Sequence, residues 1–200
     1  TVAYIDGDDL VEELEQLQAA GELLDNIDRK IPLAQSDCKV LSANTYLGGW
    51  GIKEALDLGA DIVICPRVTD ASVTMGPAAW KFNWQRDDYD ALAGSLAAGH
   101  IIECGAQATG GNYSFFEEVS TFKDIGYPIA EIEEDGAFTI TKHPGTGGLV
   151  SIGTVTAQLL YEIAAPEYLN PDVIAHFDTL KMQQVGDDRV RVTGCKGSSP

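Results

Sequence analysis

Ala60–Pro66 reads ADIVICP. Four apolar residues stand between Asp61 and Pro66, the pattern of a strand buried on both faces. Before it, GGWGIKEALDLGA reads as a helix opened by two glycines and closed by Gly59. Before that, KVLSANTYL reads as a further strand. Strand, helix and strand with short links is the order of an α/β sheet with right-handed crossovers. The expected fold class is α/β: a mostly parallel sheet flanked by helices, with an antiparallel C-terminal portion.

Outward from that stretch, VAYI at the start reads as a short buried strand. In DDLVEELEQLQAAGEL, Leu10, Val11, Leu14 and Leu17 recur at helical spacing after Asp8 and Asp9, which can cap the segment. Leu24–Asp37 reads as a loop containing Pro32. Pro77 is expected to begin a helix, and RDDYDALAGSLAAGHIIECGAQ reads as another. AEIEEDGAFTITK alternates and turns at Asp135-Gly136, a hairpin signal. A glycine loop, PGTGG, leads into a helical run, TVTAQLLYEI. Val173–Cys195 reads as two strands joined around Gly186-Asp187.

The chain has 200 residues, enough for one domain or a large part of one. It starts at Thr1 without Met, which reads as an excerpt of a longer protein or a processed chain. Its 31 acidic against 13 basic residues give a net charge of −18. Such a surface opposes nucleic acid and anionic membranes alike. Solubility or a salty cytoplasm accounts for the acidity. No apolar run is long enough to span a bilayer. Cys38, Cys65, Cys104 and Cys195 form no CxxC, and the three histidines stand alone, so no metal site of ordinary spacing is expected. A reduced, cytoplasmic setting suits this cysteine usage, and no disulfide is expected. No cofactor fingerprint occurs, which leaves the cofactor open.

Three stretches can carry chemistry. PRVTDAS follows a strand end, where open α/β sheets bind ligands. There Arg67 can grip a carboxylate or phosphate, Thr69 can add a hydroxyl, and Asp70 can orient the ligand or take a proton. The plain alternative is a helix cap and a surface pair. In HIIECGAQATGGNYSFF, a helix would place His100, Glu103 and Cys104 on one face. His100 or Glu103 can move a proton and Cys104 can be a nucleophile, or all three are packing. Gly110, Gly111 and Asn112 beyond it can let backbone approach a ligand. TKHPGTGG is the third. Lys142 and His143 reverse the local charge, and Gly145, Thr146, Gly147 and Gly148 can offer amides to an anion. The spacing matches neither Walker A nor GxGxxG. The alternative is a tight turn. We expect the three loops to converge on one cleft. His176, Met182 and Cys195 read as packing; the Gly48–Trp50 turn stays undecided between site and architecture.

TYLGGWGIKEALDLGADIVICPRVTDASVTMGPAAW, AGHIIECGAQATGGNYSFF, TKHPGTGGLVSIGTVTAQLLYEI and YLNPDVIAHFDTLKMQQVGDDRVRVTGCKG together resemble the acyclic terpene utilisation family, in order, over residues 1–200. The resemblance implies that 1–200 is the later part of that family's main domain. An earlier α/β portion and a C-terminal ferredoxin-like domain, found in longer members, would then be absent. It further implies a role in breaking down citronellol- and geraniol-type acids or related branched acids, acting on or binding an acyl-CoA or carboxylate. It carries over no catalytic residues. The alternative is a noncatalytic binding or scaffold subunit for a partner acyl-CoA enzyme, or a homo-oligomer built for the same task, since no nucleophile elbow is present.

Overall fold

One helix organises the molecule. In the computed structural model, which describes residues 1–200, the elements run β1 (Val2–Tyr4), α1 (Leu14–Ala19), α2 (Trp50–Asp57), β2 (Ile62–Ile64), α3 (Ser72–Phe82), α4 (Tyr89–Ile102), β3 (Pro128–Ile132), β4 (Phe138–Lys142), α5 (Ile152–Leu159), β5 (Glu167–Leu169), β6 (Ile174–His176), β7 (Lys181–Gly186), β8 (Arg189–Thr193) and β9 (Lys196–Ser198). α4 is buried without a break from Leu92 to Ile101. Its run of Ala, Gly and Ser lets α3, α5 and strands from both antiparallel sheets close on it. Each fully buried Leu or Ile contributes about 1.5–3 kcal/mol; α1, which buries none of its residues, contributes little by comparison. At Gly99 a Cβ would stand 2.7 Å from the carbonyl oxygen of Ala71. Only glycine lets the loop before α3 lie this close to the end of α4, and that approach builds the site described below.

The sheet differs from expectation. It is not mostly parallel: β1 and β2 form a two-stranded parallel pair, while β3-β4-β8-β7 and β5-β6-β9 are antiparallel sheets of four and three strands. The parallel pair does not grow because Lys39–Leu47 is not a strand. It makes only isolated bridges, Asn44 to Asp9 and Leu47 to Val68. Ser42, Ala43 and Asn44 in its middle are poor strand formers, so little favours extended pairing there. The reading of ADIVICP as buried on both faces is corrected too. Val2, Tyr4, Ile62 and Ile64 are all exposed, and only the Ala3–Val63 side is covered.

Other elements follow the sequence. The hairpin turns at Asp135-Gly136, where Gly136 has φ 80° and the Asp135 carboxylate accepts from the Ala137 amide. β7 and β8 turn after Gly186. α3 starts at Ser72, and Pro77 lies inside it and does not begin it, at the cost of one helix hydrogen bond. α5 opens on a capping box between Ser151 and Thr154. All four cysteines are free. No helix is long and apolar enough to cross a membrane.

Candidate functional site

Three segments bring polar side chains to the C-terminal end of α4. The loop after β2 is held by backbone bonds on either side of Val68: the Leu47 amide donates to the Arg67 carbonyl at 2.9 Å, and the Thr69 amide to the Leu47 carbonyl at 2.9 Å. This fixes Arg67 at the rim, its guanidinium over the Tyr46 ring at 5.5 Å. Thr69 and Ser72 share a hydroxyl hydrogen bond of 2.5 Å, so the Thr69 hydroxyl is engaged locally. Asp70 is exposed beside them. α4 remains helical through Ile102, which places His100 and Glu103 on one face.

Asp70 lines two neighbouring cavities. One, of about 470 Å³, has Arg67, Glu103, Cys104 and Glu162 in its wall. The other, of about 420 Å³, has Tyr46, Tyr168 and Asn170. Both volumes suit a small organic ligand. A wider cleft of about 710 Å³ between Phe82 and Gly197 is lined by Asp87, Asp88, Asp90, Glu134 and Asp135. No buried unpartnered side chain lies along it, and we assign it no chemistry.

The inner wall holds a buried histidine. His100 is 2% exposed. Its Nε2 lies 3.2 Å from the Leu159 carbonyl oxygen, which can only accept, so Nε2 carries a hydrogen. Nδ1 faces Glu103 Oε1 at 3.3 Å. Nδ1 and the other Glu103 oxygen, Oε2, have no hydrogen-bond partner. Tyr168 and Phe177 flank the imidazole, with ring centroids 5.1 and 5.8 Å away.

Local charge is negative. Burial pushes the Tyr168 hydroxyl pKa up, and the charges of Glu103, Asp70 and Glu162 push it further, against a lowering hydrogen bond from the Asn170 side chain. Burial and then the Glu103 charge raise the Cys104 thiol in the same way, against a lowering contact from Gln158. Cys104 thus stays a thiol at neutral pH and is a poor nucleophile. Iodoacetamide at pH 7 should label the exposed Cys38 at least tenfold faster than Cys104, measured by peptide mass spectrometry. Fast labelling of Cys104 would show that its thiolate forms readily.

The other two loops meet each other and not these cavities. The Leu149 amide donates to the Thr109 carbonyl at 2.8 Å, joining them. Neither loop contributes to the wall beside Arg67. Their amides are engaged: Gly110 and Asn112 with Gln107 at 3.2 and 3.3 Å, Gly111 with Ala106 at 3.0 Å, Thr146 with His143 at 3.4 Å, Gly147 with Asp124 at 2.8 Å, and Gly148 with Thr121 at 2.9 Å. Gly145 and His143 are exposed. Lys142 is buried, paired to Asp188 at 3.0 Å and donating to the Thr146 carbonyl at 3.0 Å. Gly48 and Gly49 receive a plain explanation: the Gly49 amide donates to the half-buried Asp172 carboxylate at 2.6 Å, at the start of α2.

Sequence reasoning missed Gln158, Glu162, Tyr168 and Asn170. Gln158 offered a signal, as the lone long polar side chain in the apolar run VTAQLL. Asn170 offered none.

Comparison with known proteins follows this geometry. The model of a family described as acyclic terpene utilisation family protein AtuA matches residues 1–200. No curated protein and no solved structure matches the chain. The chain belongs to the acyclic terpene utilisation family.

Proposed function

We propose that this family member binds a branched carboxylic acid or its acyl-CoA ester at the end of α4, in the breakdown of acyclic terpenes or related branched acids. There it moves a proton on the ligand. The carrying observation is the His100–Glu103 pair: Glu103 faces the buried imidazole at 3.3 Å and lines the cavity whose rim carries Arg67. Arg67 is the cation placed to meet a ligand carboxylate or a CoA phosphate at the mouth. Asp70, Glu103 and Glu162 surround the interior and disfavour a dianion, so the acyl end enters and any phosphates stay outside. Glu103 then accepts a proton from the carbon beside the acyl carbonyl, with the His100 imidazole beside it.

Deuterium incorporation at C2 of 3-methylbutanoyl-CoA in heavy water tests this. Wild type should incorporate it and Glu103→Gln should be at least a hundredfold slower. No incorporation by wild type contradicts the proton transfer. The alternative, a noncatalytic binding or scaffold subunit, is favoured by the exposed apolar row Val2, Tyr4, Ile62 and Ile64. It predicts ligand binding without exchange.

A further inference from the structure

We propose that the apolar cavity between the end of α5 and Phe177 takes the hydrocarbon chain of the ligand, so that the substrate class is an acid or acyl ester with a chain several carbons longer than butanoyl. The proposal rests on the reading of the site given above and names its substrate class.

That cavity holds about 320 Å³, within the range of small-molecule sites. Leu159, Leu160, Ile163 and Phe177 line it, and Asp178 is the one polar side chain in its wall. Leu159 and Phe177 are buried. The same two residues hold His100: the Leu159 carbonyl oxygen lies 3.2 Å from Nε2, and the Phe177 ring centroid 5.8 Å from that of the imidazole. The apolar cavity and the proton-transfer pair therefore share a wall.

The segment after α5 joins the apolar cavity to the Arg67 cavity. Glu162 lines the Arg67 cavity, while Leu160 and Ile163, flanking it in the chain, line the apolar one. Glu162 has φ 60°, so the backbone turns at the boundary between the two. Charge sets the direction of the ligand. Asp178 and Glu162 repel an anion from the apolar end, and Arg67 attracts one at the other. No uncharged polar side chain lines the apolar cavity, so a polar group entering it would lose water without a side chain to pair with. A hydrocarbon chain loses nothing there and gains by leaving water. One molecule can thus set its carboxylate or thioester beside Arg67 and its chain against Leu160, Ile163 and Phe177.

Calorimetric titration of the full chain with 3-methylbutanoate, 3-methylhexanoate and 3-methyloctanoate tests this. Each buried methylene contributes about fourfold in affinity, so 3-methyloctanoate, four methylenes longer than 3-methylbutanoate, should bind at least fiftyfold more tightly. It should bind one molecule per chain and displace 3-methylbutanoate. Leu160→Asp puts a carboxylate in the cavity wall at an exposed position. It should cut the gain to less than fivefold while leaving 3-methylbutanoate within twofold of wild type. Ala164→Phe, which fills the cavity from another exposed position, should do the same and serves if Leu160→Asp does not fold. Equal affinities across the series, a gain that survives both variants, or binding that leaves 3-methylbutanoate in place would overturn the chain proposal alone. If no acid binds wild type, the carboxylate reading of the site falls with it.

Discussion

Asp188→Ala should destabilise the fold by about 2–3 kcal/mol, seen as a lower denaturant midpoint with an unchanged slope. Lys142 on β4 has a side chain 5% exposed, and its ammonium meets Asp188 Oδ2 at 3.0 Å. The other Asp188 oxygen accepts from the Val150 amide at 2.8 Å. One carboxylate thus ties β4, the segment before α5 and the β7–β8 turn. Without it the ammonium stays buried with the Thr146 carbonyl as its remaining close partner. Breaking a buried pair by deleting one member costs about 3–5 kcal/mol. The Asp188 side chain is 33% exposed, so solvent screens part of that loss. Lys142→Met removes the charge and keeps the stem, and should cost less than Asp188→Ala. A loss below about 0.5 kcal/mol for Asp188→Ala, the range of ordinary surface changes, would show that the pair does not hold these segments. Ligand affinity should not change in Lys142→Met, which separates this lysine from the site.

Arg67→Glu should weaken binding of a branched carboxylate by at least a hundredfold, about 2.8 kcal/mol, with no shift in melting temperature. One charge-assisted hydrogen bond contributes roughly 1.5–3 kcal/mol. The reversal also adds a fourth carboxylate to a cavity already walled by Asp70, Glu103 and Glu162. Stability should hold because Arg67 is exposed and its side chain only rests over Tyr46. Retained affinity would remove Arg67 from the site. A large drop in melting temperature would make it structural.

Legibility tracked the range of the interactions. The His100–Glu103 face was readable because helical spacing is local, and α4 has the composition of a buried helix. The Asp135-Gly136 turn and the β7–β8 ribbon were readable for the same reason. The parallel sheet was over-read. Val2–Tyr4 and Ile62–Ile64 have the apolar runs of central strands, but their neighbours come from pairing, and Lys39–Leu47 does not pair as a strand. Lys142 looked like a free cation because its partner lies far along the chain, in a turn. The Gly147 and Gly148 amides looked available because their acceptors, Asp124 and Thr121, sit in a loop with no pattern of its own. Asn170 was invisible because an asparagine before a proline reads as turn chemistry. Only its burial beside the Tyr168 hydroxyl singles it out.

The most direct test of the site is the structure of the protein bound to 3-methylbutanoate. The account predicts the ligand carboxylate at the Arg67 guanidinium, at about 2.7–2.9 Å. The carbon beside the carboxyl group should face Glu103. A ligand seated against the Thr146–Gly148 loop, or in the acidic cleft near Trp84, with the Arg67 cavity empty, would contradict it.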